Sequence, residues 1–199
     1  MTVVESGKLR LFVAIELPDA IRDQLRATTD DLRSALPGPF RWVPPAAMHL
    51  TLRFLGDTPA NEVDALTGTI NSAASGSTRF SLRLEGAGSF PVGRSPSVLW
   101  TGLGGDVDAL HSLRDAIETA LAAVGTTPEK GAFHPHLTLA RVRGRLDPST
   151  ASRVRDALAS LRYDDNASFD VRHVSLMRSE LLQAGARHTR LASAPLGSA

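Results

Sequence analysis

The sequence predicts an α+β fold of two lobes related by a pseudo-twofold axis, with antiparallel-rich sheets facing a central cleft and helices outside. The tetrapeptide His-Leu-Thr-Leu occurs twice, at 49–52 and 136–139, and the copies stand 87 residues apart in a chain of 199. Around each copy the hydrophobic pattern runs in one order: strand, helix, HLTL strand, helix, strand. Leu11 precedes His49 by 38 residues and Leu99 precedes His136 by 37, so the repeat covers whole structural units, about 8–86 and 97–177. A duplicated unit of this kind is most simply built as two similar lobes of a single domain spanning 1–199.

Taken in order, KLRLFVAIEL (8–17) reads as a buried strand of β-branched and aromatic residues. Pro18-Asp19 opens a helix to about Leu36, with Ile21, Leu25, Leu32 and Leu36 on one face. Pro37-Gly38-Pro39 ends it, and Arg41 to Pro45 is extended because each residue before a proline leaves the helical region. The first HLTL strand (48–55) follows, then a helix from Pro59 to about Ala74 and a strand at 80–84. The Gly- and Pro-rich stretch 85–96 reads as a crossover between halves. Beyond it come a strand (97–103), an amphipathic helix (106–124), the second HLTL strand (136–142), a helix (148–161), and strands at 169–177 and 186–192. Residues 193–199 are expected to be a frayed tail.

Composition narrows the function. With 42% apolar residues the chain has ample material for a core. Its formal net charge of +1 gives no bulk attraction for nucleic acid or membrane, so an anion site must be local. Of 22 basic residues only Lys8 and Lys130 are lysines; that bias fits a GC-rich genome at least as well as a phosphate-binding surface. There is no cysteine, which excludes disulfides, thiol nucleophiles and cysteine-ligated metal centres. Charges interrupt the N-terminal apolar positions, and no apolar run approaches about 18 residues, so neither a signal peptide nor a transmembrane helix is expected and a cytoplasmic protein is the default.

The repeated motif carries the chemistry. In a strand, residues i and i+2 share a face, so His49 and Thr51 point one way while Leu50 and Leu52 enter a core, and His136 and Thr138 do the same against Leu137 and Leu139. One such strand would be an ordinary sheet. Two, related by a twofold, bring two imidazoles and two hydroxyls to face each other. Imidazole titrates near pH 6.5, so one ring can serve as base and the other as acid around neutrality. The threonine hydroxyls suit non-bridging phosphoryl oxygens, and the Arg141 guanidinium suits their charge. Arg141 follows His136 by five residues, an odd offset that needs a strand irregularity to aim it at the cleft.

With RWVPPAAMHLTLRFLG (41–56) and FHPHLTLAR (133–141) in view, the chain resembles the 2H phosphoesterase superfamily, and within it the LigT-like RNA 2',3'-cyclic phosphodiesterases. The similarity extends to Arg10–Ile15, Gly88–Pro91, Val98–Trp100 and Ser175–Ser179 with Gly185. The resemblance implies metal-independent hydrolysis of RNA or nucleotide 2',3'-cyclic phosphates to a 2'-phosphomonoester, without a cofactor. By that resemblance His49 is the proton donor, His136 the proton acceptor, and Thr51, Thr138 and Arg141 bind the phosphate. From the sequence alone the two histidines are nearly equivalent. Alternative readings are reversible 2',5' RNA ligation by the same two histidines, or a non-catalytic RNA-end or nucleotide-binding module; neither a membrane nor a protein partner is implied. One departure stands out: where the family commonly has a tyrosine after a Gly-x-x step, this chain has Gly185-Ala186-Arg187-His188.

Other candidates are weaker. His134 and His136 form an HxH pair, but no acidic residue accompanies them at ligand spacing. His111 is expected to be solvated on its helix, and His173 and His188 have no motif. Arg53 is a candidate RNA contact. Trp42, Phe54 and Phe90 are candidate base-stacking rings, though aromatic residues near strands are more often core. The run Arg141 to Arg145 offers a strip for backbone phosphates or a solvated turn.

Overall fold

The computed structural model describes residues 7–92, 95–164, 166–182 and 185–198. Its strands are β1 (Lys8–Glu16), β2 (Phe40–Trp42), β3 (His49–Pro59), β4 (Phe80–Phe90), β5 (Val98–Gly105), β6 (Leu137–Val142), β7 (Ser168–Val171), β8 (His173–Leu182) and β9 (Gly185–Pro195). Its helices are α1 (Asp19–Ala35), α2 (Val63–Ser75), α3 (Val107–Ala123) and α4 (Pro148–Ser160). They follow the apolar stripes of the sequence. α1 buries Ile21, Leu25, Thr29 and Leu32, and α3 buries Leu110, Leu113, Ile117 and Leu121. α4 starts where Asp147 accepts a hydrogen bond from the Thr150 amide at 2.9 Å, with Pro148 in the first turn.

The strands form two antiparallel sheets, of order β3-β1-β8-β9 and β2-β6-β5-β4-β7. This is the α+β architecture expected, two sheets about a cleft with helices outside, but the lobes are not contiguous halves of the chain. The third strand of each half lies in the other half's sheet: β8 pairs with β1, and β4 pairs with β5. The triplets β3-β1-β8 and β6-β5-β4 therefore correspond. One contiguous core, including Val13, Leu50, Leu82, Leu99, Leu137 and Leu176, runs through both.

Three expectations are corrected. The stretch expected as a crossover, 85–96, is strand as far as Phe90, because β4 continues that far and pairs with its antiparallel neighbour β5; 93–94 lie outside the described residues. Its glycines permit close approach within the sheet: Gly86 has φ +67° where the register shifts, and a Cβ on Gly88 would collide with the Trp100 ring. The strand expected at 169–177 is two strands in different sheets, β7 against β4 and β8 against β1, with Arg172 between them. Residues 193–197 are not frayed. Ser193 to Pro195 complete β9 against β8, and the Leu196 and Gly197 amides donate to the Arg172 and Ser77 carbonyls, each at 2.9 Å. Leu196 is only 3% exposed.

Anchoring of this segment is directly measurable. Leu196→Ala should lower unfolding free energy in urea by about 2–4 kcal/mol, as truncation of a buried leucine does; a loose tail would give a change near zero.

Candidate active site

Each HLTL histidine is fixed by the same local bond. His49 Nδ1 lies 3.0 Å from the Ala47 carbonyl oxygen, and His136 Nδ1 lies 2.7 Å from that of His134. A carbonyl oxygen can only accept, so Nδ1 carries the hydrogen in both rings. Nε2 is thereby left to accept a proton in the neutral ring and to donate one in the imidazolium.

Strand register sets what accompanies them. On the first sheet Glu16 stands opposite His49 and Ala14 opposite Thr51. On the second, Trp100 stands opposite Thr138. Thr51 and Thr138 are half-buried. Both strands then carry a register shift at the same step of the motif, with Leu52 and Leu139 left without Cα partners. In β6 the extra residue leaves both Leu139 and Ala140 buried and turns Arg141 onto the face of His136 and Thr138. The odd offset seen in the sequence is thus resolved. β2 adds Arg41 directly opposite Arg141, a neighbour that no motif singled out.

The corresponding irregularity in β3 has the opposite effect on Arg53. Ideal alternation would give Arg53 to the cleft; instead it faces inward opposite Val13 and is 5% exposed. Its Nε lies 2.6 Å from Glu118 of α3, and its guanidinium also donates to the carbonyls of Phe54 at 2.7 Å and of Thr127. Arg53 is accordingly a buried link between β3 and the segment leading to His136, not an RNA contact. Phe54 takes the cleft position that Arg141 holds in the other lobe, opposite Phe12 and 54% exposed.

The two strands are brought together by the chain itself. β2 belongs to the second sheet, and the Val43 amide donates to the Leu139 carbonyl at 2.9 Å, only six residues before His49. β3 and β6 touch. All five residues singled out by the sequence, His49, Thr51, His136, Thr138 and Arg141, thus lie on these two touching strands or immediately before them.

The surroundings of the two imidazoles differ. His136 packs against Phe90, edge-on at 5.1 Å between centroids, and lies 6.4 Å from Trp100. Phe90 therefore belongs to the site, whereas Trp42 packs against the core. His49 packs against Phe12 at 4.7 Å and, edge-on, against His188 at 4.9 Å. His188 was beyond sequence reasoning apart from the Gly-x-x-His departure, because only the sheet order places β9 beside this site. Burial first, then His188, push the His49 pKa down to about 4, against the Ala47 carbonyl and Glu16, which favour the charged ring. Burial would raise the pKa of Glu16, but the Ser175 hydroxyl at 2.6 Å, Arg190 at 3.1 Å and His173 together hold it low.

The remaining histidines are placed elsewhere. His111 is half-buried against Phe133 at 5.4 Å, not solvated. The His134 ring lies 6.2 Å from Phe90. Among the described residues no group of three His, Asp or Glu side chains is arranged to hold a metal ion, and no helix is long and apolar enough to cross a membrane.

Two antiparallel sheets, each with a His/Thr pair on its motif strand, form the fold of a two-histidine phosphoesterase, and the chain belongs to the 2'-5' RNA ligase superfamily, whose family model matches residues 17–181. Among its relatives, the RNA 2',3'-cyclic phosphodiesterase of Methanothermobacter thermautotrophicus is 30% identical over 182 residues, 92% of this chain and 96% of the relative. A crystal structure from Thermus thermophilus superposes with TM-score 0.76 at 27% identity, covering 96% of this chain and 99% of that one. Escherichia coli LigT in apo form gives TM-score 0.74 at 26% identity, covering 97% and 100%.

The His49 environment has a thermodynamic consequence. The ring titrates near 6.5 in the unfolded chain and about 4 in the folded one, so between these values the unfolded chain binds a proton that the folded chain does not. Stability contributed by a neutral His49 is therefore full above pH 6.5 and lost as pH falls toward 4, by up to about 3 kcal/mol. Urea unfolding at pH 7, 5 and 4 should show wild type losing about that much more than His49→Gln.

Proposed function

We propose that this protein hydrolyses terminal 2',3'-cyclic phosphates of RNA, or of small nucleotides, to 2'-phosphomonoesters, using its two histidines and no metal. The observation that carries the reading is the matched pair of Nδ1–H bonds to carbonyls two residues upstream, which leaves two Nε2 atoms for proton transfer. Relatives support the substrate class: the Methanothermobacter protein is named an RNA 2',3'-cyclic phosphodiesterase, and Escherichia coli LigT has been crystallised with 3'-AMP.

In this mechanism His136 Nε2 takes a proton from water as the water oxygen attacks phosphorus. His49 Nε2–H gives a proton to the ribose 3'-oxygen as its bond to phosphorus breaks. One water is consumed, and the products are a 3'-hydroxyl and a 2'-phosphate. The donor role comes from the family resemblance, and the burial of His49 makes it conditional. The ring is neutral in the unliganded protein near pH 7 and becomes a donor once a phosphate anion beside it favours the imidazolium. Thr51, Thr138 and Arg141 hold the non-bridging oxygens and stabilise the charge that builds on them. Arg41 extends the positive rim toward the preceding nucleotide, and exposed Phe54 offers a face for a base. The whole chain acts as one bilobal unit, in the cytoplasm.

Phosphorus NMR of a short RNA ending in a 2',3'-cyclic phosphate, in excess EDTA, tests the reading. Wild type should produce a 2'-phosphate, and His49→Ala and His136→Ala should each be slower by about 100- to 10,000-fold. A 3'-phosphate would reverse the orientation of the substrate. No product with RNA still bound would point to a binding module, and chain joining with a 5'-hydroxyl RNA would point to a ligase.

A further inference from the structure

The pseudo-twofold is broken at the ring edge-on to each motif histidine. In the second lobe the ring edge-on to the histidine is Phe90, at 5.1 Å and 85° from His136. In the first lobe it is His188, at 4.9 Å and 83° from His49. Phe12 closes a triangle with both, 4.7 Å from His49 and 5.2 Å from His188. A hydrocarbon ring thus neighbours one catalytic imidazole, and a titratable ring neighbours the other. Sheet register explains the contact: His188 on β9 stands opposite Ser179 of β8, two residues along from Met177, which is opposite Phe12 on β1.

We propose that His188 is a positioning residue whose edge-on contact opposes a charge on His49 and so sets the protonation state in which His49 meets the substrate. The inference rests on the two-histidine reading above. Two imidazolium rings in contact repel strongly, so protonation of one suppresses protonation of the other. Both rings are pushed below the ordinary histidine value, His188 by burial and His49 by burial and then by His188.

Other charges around the pair leave this coupling in place. From β1, Glu16 favours a charged His49 but is engaged by Ser175 and Arg190. β8 brings His173, Arg178 and Glu180, and Glu180 is paired with Arg178 and with Arg187 of β9. The turn at Pro45–Ala47, which packs on β9, carries no titratable side chain, and Asp64 of α2 is exposed. As pH falls, charge on His188 opposes charge on His49 and favours its neutral form.

The test is proton NMR of the histidine C2–H signals in the free protein, for wild type, His188→Phe and His188→Tyr, with pH profiles of kcat/KM for cyclic-phosphate hydrolysis. His49 should titrate about one pH unit higher in both variants, and the acid limb of kcat/KM should move with it. An unmoved His49 titration in either folded variant overturns the proposal, and so does loss of rate with an unmoved titration, which is the mark of a packing role. The tyrosine variant keeps the test available if the phenylalanine variant does not fold. The NMR measurement needs no turnover. A wild type that hydrolyses no cyclic phosphate but whose His49 shifts in the variants therefore refutes the proposed activity and leaves the coupling standing.

Discussion

A hydrogen bond to a carbonyl two residues upstream decides what each motif imidazole can do. An unconstrained histidine exchanges its proton between two nitrogens and turns about its side-chain bonds. The Ala47 and His134 carbonyls remove both freedoms, since each accepts from Nδ1 and commits Nε2 to the cleft chemistry. The strand geometry then follows from the motif. Period-two alternation adds a threonine beside each imidazole, and the irregularity after the next leucine admits one more side chain, Arg141 in one lobe and Phe54 in the other. A duplicated backbone thus presents a cation at this position in one lobe and an apolar ring in the other.

Such a site works only if the sheets keep a fixed separation, and the topology provides this without a large interface between independent halves. β4 and β8 each pair in the sheet of the other repeat, so neither repeat can close its sheet alone. β2 pairs with β6 and leads within a few residues to His49. Arg53 leaves β3 in the direction opposite to the motif and holds Glu118 and the Thr127 carbonyl, near the start of the segment that ends at His136. Removing one partner of a buried ion pair typically costs about 3–5 kcal/mol, which places this link among the stronger constraints on the cleft.

Much of this was legible in the sequence because the repeat is long and its alternation is strict. His49, Thr51, His136 and Thr138 required only strand periodicity, and the helices required only their apolar stripes. What was illegible depended on features without a local signature. The strand irregularities exchange Arg53 and Phe54 between core and cleft, and a charged residue that finds two carboxylates 65 and 76 residues away looks, in sequence, like a solvent-facing one. Gly86 and Gly88 read as breakers although they serve a continuous strand packed under Trp100. Polar Arg172 conceals a change of sheet. The small residues of 193–199 gave no sign of pairing, and Leu196 alone hinted at burial. His188 lies 139 residues from His49, and only the order β3-β1-β8-β9 brings them together.

The measurement closest to the centre of this account is a long-range nitrogen–proton correlation NMR spectrum of the imidazoles at pH 7.5, with His49 and His136 assigned by substitution. The account predicts that both neutral rings carry their hydrogen on Nδ1, with Nε2 unprotonated. Hydrogen on Nε2 of either ring would contradict it, because that histidine could not then accept the proton that the proposed cycle requires of it.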